Sequence, residues 1–177
     1  VYGDGLQMTV DMIPGCDIYR RAFLGLHVML KTFQEHGKFN DMQGIDETFF
    51  GFYVAPAFNS IKRMQSDVTY AYNVFFGGAA LAAESMEDIT ELTEERKALV
   101  ADAFAELFRE DAYQPWAPYI YLTSAHSGIR GLLAQKVLSM TGEPVLVVGY
   151  GADGSLVGSG RCPAWFPFLD IAAGLDY

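Results

Sequence analysis

The sequence predicts an α/β fold: a small mixed β-sheet flanked by helices and preceded by a helical region. Three observations carry this. Two short apolar runs, Tyr119 to Thr123 and Val145 to Gly149, bracket a stretch in which Ile129, Leu132, Leu133, Val137 and Met140 recur at helical spacing. Gly142 and Pro144 close that stretch, so the segment reads as strand, helix, strand with a right-handed crossover. Asp153-Gly154 is a turn dipeptide that folds the chain back into a third strand, Leu156 to Gly160.

The elements follow in chain order. Val1 to Pro14 is glycine-punctuated and strand-like, with no partner strand nearby in sequence, and reads as a piece of something larger. Asp17 is a suitable N-cap for a helix of roughly five turns. Its apolar stripe is Ile18, Ala22, Phe23, Leu26, Leu30 and Phe33, ended by Gly37. His27 and His36 have no second metal-type residue at ligand spacing and read as surface or packing residues. From Ile45 to Phe58 the aromatics are interleaved with Gly and Ala rather than with Lys and Arg, which favours core packing over base stacking. Asn59, Lys62 and Arg63 form a short polar cluster after Pro56, of a kind that reaches phosphate or sugar.

Asp67 to Glu84 reads as one or two helices, with Gly77-Gly78 marking either a close crossing or a break. Thr93 reads as an N-cap, with Glu94 and Glu95 complementing the helix dipole. Leu99, Val100, Ala103, Phe104, Leu107 and Phe108 then form an apolar stripe. Ala112 to Pro118 is a loop, and a last short helix is expected from Leu169 to Ala173 after an extended Pro163 to Phe168. Trp165 reads as a rim or core residue rather than a stacking platform.

With 177 residues, half of them hydrophobic, the chain is long enough to bury a core, and no apolar run approaches the ~18 residues of a membrane span. Two cysteines, Cys16 and Cys162, make no disulfide framework and fit a cytoplasmic location. The net charge of −10 excludes a uniformly basic nucleic-acid binder. Much of the acidity falls between Glu84 and Asp111, however, and affinity for a polyanion is set by the charges in contact with it.

The start of the Ile129 helix brings the amides of Ser127, Gly128 and Ile129 together with the positive end of the helix dipole. Gly158-Ser159-Gly160-Arg161 adds backbone donors, a hydroxyl and a guanidinium. Together these residues suit a phosphate oxygen; His126, beside Arg130 at the helix mouth, reads either as a further donor to phosphate or as a histidine satisfied by backbone carbonyls at a strand end. Gly149-Tyr150-Gly151-Ala152-Asp153-Gly154 is not a dinucleotide fingerprint, because it spans a hairpin turn and precedes a strand.

Here a resemblance enters. His126-Ser127-Gly128-Ile129-Arg130-Gly131-Leu132-Leu133-Ala134, the strand with its DG turn, and Gly158-Ser159-Gly160-Arg161 together resemble the DHHA1 domain of RecJ-type single-strand-specific exonucleases, in the DHH phosphoesterase superfamily. Phe52 to Met64 is similar to the family's F-x-L-G-P-R-L-N-A-A-G-R-M segment, and Thr93-Glu94-Glu95-Arg96-Lys97 stands where the family has N-x-x-R-K. Thr9 to Pro14 resembles T-V-A-D-V-V-P, whose aspartate is a metal ligand.

The resemblance implies residues 1–16 as a remnant of the catalytic domain, 17–112 as a helical connecting region and 113–177 as a DHHA1-like substrate-binding domain lacking the family's closing G-G-H-x-x-A-A-G tract. It implies Asn59, Arg63, His126, Ser127, Gly128, Arg130, Gly158, Ser159, Gly160 and Arg161 as phosphate contacts, and Asp11 as a lone metal ligand or an ordinary capping residue. Ala57 departs from the pattern, since the family has arginine there.

A hydrolase of this type needs several aspartates and histidines around two metal ions. The chain has three histidines, none in a D-H-H triplet, so this piece alone is expected to be inactive. The full-length protein is expected to be an exonuclease using manganese or magnesium, with single-stranded nucleic acid and its own catalytic DHH domain as partners. Two alternatives stand beside it: another DHH-superfamily phosphodiesterase acting on oligonucleotides or cyclic dinucleotides, and a non-catalytic nucleic-acid-binding or interaction module.

Overall fold

The computed structural model describes residues 17–38, 47–108 and 119–174. Asp11 and the strand-like opening segment lie outside the described residues. The chain divides into two compact units, one running to Glu95 and the other starting at Arg96.

In the first unit α1 spans Asp17–Glu35. Gly37 ends it at φ 66°, and the amides of Gly37 and Lys38 bond back to the carbonyls of Gln34 and Phe33 at 2.9 Å each. This is a Schellman closure, and it needs a residue that tolerates positive φ at Gly37. A single turn, α2 (Glu47–Phe49), runs through a π-helical segment (Phe50–Val54) into α3 (Ala55–Arg63). The Ala55 amide reaches the Phe50 carbonyl, and the wider turn rotates successive side chains out of the α-helical phase. Phe49 is therefore buried, edge-on to Phe33 with centroids 5.9 Å apart, while Phe52 is 73% exposed. Core packing holds for Phe49 and for Phe58, which stacks on Phe75, but not for Phe52.

Helix α4 spans Thr69–Phe76. The Gly77-Gly78 pair that follows it is a break, with Gly78 at φ 82°. The close helix approach lies elsewhere: a Cβ on Gly25 would fall 1.9 Å from the Val74 carbonyl oxygen, so α1 packs its bare backbone on α4. Met29, Phe33, Phe49, Ala57, Ile61, Val74, Met86 and Ile89 complete this core.

Helix α5 runs from Ala79 to Leu107 without interruption, so Thr93 is not an N-cap. Its buried hydroxyl lies 2.7 Å from the Ile89 carbonyl and 3.3 Å from the Ser60 hydroxyl, which satisfies it inside the helix. The stripe beyond it is narrower than its spacing suggests. Ala103 and Leu107 are buried, whereas Leu99 and Phe108 are exposed. Because Ala103 and Leu107 pack into the core of the second unit, that unit includes the end of α5 instead of beginning at residue 113.

The second unit contains β1 (Ile120–Leu122), α6 (Ser127–Thr141), β2 (Val145–Tyr150), β3 (Leu156–Arg161) and α7 (Phe168–Ala173). β1 pairs with β2 in parallel, Tyr121 opposite Val147, and β2 pairs with β3 antiparallel, Val147 opposite Ser159. The predicted α/β fold with a small mixed sheet is the observed one. Gly142, at φ 71°, terminates α6 as expected. The hairpin loop is longer than the DG dipeptide implies: the Gly151 amide bonds the Ser155 carbonyl at 2.7 Å, and the Asp153 carboxylate accepts from the Ser155 amide and hydroxyl.

Ile129, Leu133, Ala134 and Val137 of α6 cover Val145 and Val147 of β2, while Met140 points away from this core and is 57% exposed. β2 buries Val145, Val147 and Gly149 on one face. Their cross-strand partners on β3 are Arg161, Ser159 and Val157, so these residues share the face that carries α6. No described helix is long and apolar enough to cross a membrane.

Candidate functional site

The register just described decides where the Gly-Ser-Gly-Arg tract goes. Ser159 and Arg161 project toward α6, and Gly131 makes room for them. A Cβ at Gly131 would lie 3.3 Å from Arg161 Nη2 and 3.5 Å from Ser159 Oγ. The guanidinium and the hydroxyl thus rest on helix backbone one turn in from Ser127, on the same helix face. Arg161 is exposed, and its Nη1 donates to the Gly160 carbonyl at 2.7 Å. Gly158 and Gly160 belong to the opposite face. At Gly158 a Cβ would meet the Val147 carbonyl at 2.6 Å and Val148 Cγ1 at 2.7 Å, so strand packing explains that glycine without a ligand.

At the mouth of α6, exposed His126 is the N-cap residue. Its Nδ1 accepts from the Gly128 amide at 3.2 Å, and its carbonyl accepts from the Ile129 amide at 3.1 Å. The amides of Gly128 and Ile129, which the sequence offers as phosphate donors, are thus already bonded by His126. With Nδ1 accepting, the ring proton belongs on Nε2, which makes Nε2 the donor for a ligand.

Arg130 is a second correction. It is only 5% exposed, and its guanidinium donates to the carbonyls of Ala125, Gly149, Val157 and Tyr150 at 2.7 to 3.3 Å. Four backbone acceptors, not a phosphate, occupy this group. The sequence shows a basic residue in a phosphate-like motif; only the tertiary structure shows that its side chain turns inward.

Asn59 and Arg63 lie in the first unit, four residues apart on α3, with Asn59 exposed and Arg63 half-buried. Ala57 is 1% exposed within the helical core, which explains why no guanidinium stands at that position. Lys62 is exposed beside them. His27 is exposed, and His36 makes a surface contact to Glu87 at 2.8 Å. Among the described residues no group of three His, Cys, Asp or Glu side chains could hold a metal ion, and Asp11 lies outside them. Gly131, the seat for Ser159 and Arg161, is not among the contacts the resemblance implies; its spacing of four from Ser127 is the signal the sequence carries.

The second unit is therefore an α/β layer whose edge strand presents a hydroxyl and a cation to the first turns of a helix. Solved structures share this chain's fold. RecJ from Thermus thermophilus in complex with Mn2+ is 23% identical with a TM-score of 0.60, over 78% of this chain and 20% of that one. The same protein in complex with Mg2+ gives 20% identity and a TM-score of 0.64, over 85% and 22% of the two chains. Exonuclease RecJ bound to manganese gives 21% and 0.65, over 86% and 36%. This chain thus has a RecJ-like fold and spans between 20% and 36% of the length of those proteins. No family model matches the chain, and no curated protein matches it.

Proposed function

We propose that this chain is the substrate-gripping portion of a RecJ-like, metal-dependent exonuclease, with a DHHA1-like sheet unit that holds the phosphate backbone of single-stranded nucleic acid. One observation carries the reading: Ser159 Oγ and the Arg161 guanidinium rest together against Gly131, one turn from the Ser127 end of α6. Arg161 supplies a charge-assisted contact to a phosphate oxygen, Ser159 a hydroxyl donor, and His126 Nε2 a third donor at the helix mouth. The helix dipole favours negative charge there. On this reading Asn59 and Arg63 of α3 are phosphate contacts of the first unit.

The RecJ structures hold Mn2+ or Mg2+, and a divalent ion would polarise the scissile phosphate and activate water in the longer protein. Among the described residues no group could hold such an ion; the role proposed for this chain is binding, with cleavage proposed for a catalytic domain elsewhere in the longer protein.

The test is a fluorescence titration of a short single-stranded oligonucleotide at several salt concentrations. Affinity should fall linearly on a log–log plot, and Arg161→Ala should lower the slope by about one unit. An Arg161→Ala protein with unchanged affinity and slope overturns the reading. Competition by a cyclic dinucleotide with no dependence on DNA length would transfer it to a small-substrate phosphodiesterase.

A further inference from the structure

We infer that Arg130 is a positioning residue, which locks the loop leading into His126 to the strand that carries Ser159 and Arg161, and that its buried charge makes the surface above it anion-seeking. The functional half of this inference rests on the phosphate-gripping reading; the structural half does not.

The geometry is that of a planar fork spent in several directions. Nε donates to the Ala125 carbonyl at 2.9 Å, Nη1 to Gly149 at 3.1 Å and Val157 at 2.7 Å, and Nη2 to Tyr150 at 3.3 Å. Ala125 immediately precedes His126, and Val157 lies two residues before Ser159. One side chain therefore bridges the loop at the helix mouth, the end of β2 and the edge strand. A lysine has neither the plane nor the fork to repeat this.

The surroundings are fitted to it. A Cβ on Gly149 would fall 2.6 Å from Arg130 Nη2 and 2.4 Å from the Thr123 carbonyl, so the central strand gives up a side chain where the guanidinium lies. No described carboxylate pairs with Arg130. Its hydrogen bonds are satisfied while its charge is not neutralised, and a buried uncompensated cation projects its field onto the nearest surface. Arg130 lies in the first turn of α6, so its charge adds to the positive dipole end of that helix in a protein of net charge −10.

The experiment uses the whole chain, with Arg130→Lys and Arg130→Ala compared with the parent protein. In 15N-resolved spectra without ligand, Arg130→Lys should shift the amides of Ser127, Gly128, Ser159 and Arg161 together. Affinity for single-stranded oligothymidylate should fall about tenfold. Guanidinium chloride should restore part of the affinity of Arg130→Ala, where sodium chloride at equal ionic strength does not. The structural half is overturned if Arg130→Lys leaves either set of amides unmoved. The functional half is overturned if those amides shift and binding is unchanged. A parent protein that binds no oligonucleotide sinks the phosphate reading and leaves the amide shifts to decide the clamp. Should the variants fail to fold, the parent decides it: the Arg130 Nε–H must exchange slowly with solvent, and rapid exchange overturns the inference.

Discussion

Two glycines, one in each unit, let a helix approach its neighbour, and they do so for different reasons. Gly25 of α1 meets the backbone carbonyl of Val74, 1.9 Å from where a methyl would be. Gly131 of α6 meets the far ends of two polar side chains, Arg161 and Ser159, at 3.3 Å and 3.5 Å. Backbone cannot retreat, whereas the tip of an arginine can. The first glycine is architecture; the second is a seat for two polar side chains, and substitution separates the two.

The largest effect is expected at the helical crossing. Gly25→Ala forces α1 away from α4 and should destabilise the chain by about 3 kcal/mol in urea unfolding, the upper end of ordinary overpacking costs. A loss below about 0.5 kcal/mol would mean that the crossing relaxes without strain and that Gly25 is no more constrained than Gly131.

A smaller and opposite pattern is expected at Gly131→Ala. Removing a helical glycine is worth up to ~1 kcal/mol in helix propensity, so the melting temperature should hold or rise slightly. Single-stranded DNA affinity should nevertheless fall about threefold as Arg161 and Ser159 are displaced. A fall in stability with intact binding would place Gly131 in the same class as Gly25.

The smallest effect belongs to the loop that carries β3 back. The Ser155 hydroxyl first, and its amide second, hold the Asp153 carboxyl below the usual carboxylate range. Because the folded value is depressed, this contribution is present above the pKa of the unfolded aspartate and disappears as pH falls through the lower folded value. The Ser155 amide resonance should therefore titrate at a pH below that of a free aspartate, and the titration should vanish in Asp153→Asn. An ordinary aspartate midpoint would show that the turn is open in solution.

The strand-helix-strand unit was legible in the sequence because its apolar runs, Gly142 and the DG turn all pointed the same way, and α1 with its Gly37 stop was legible for similar reasons. Thr93-Glu94-Glu95 misled because local cap chemistry cannot reveal that a helix already passes through it; the buried contact to Ser60 is made by a residue 33 positions away. The π-turn at Phe50–Val54 has no pattern of its own in the sequence. In the candidate site, residue types were legible and directions were not. Arg130 and Arg161 are both arginines beside glycines, and only the register of β2 against β3 and the burial of the first turns of α6 separate the inward one from the outward one.

The inward arginine also bears on how this unit comes apart. An edge strand ordinarily frays by itself, at little free-energy cost. Here the Val157 carbonyl shares one guanidinium with Gly149 and Tyr150 of the central strand. Detaching β3 therefore gives up a charge-assisted bond as well as its ladder, so this edge strand should open less readily than an ordinary one.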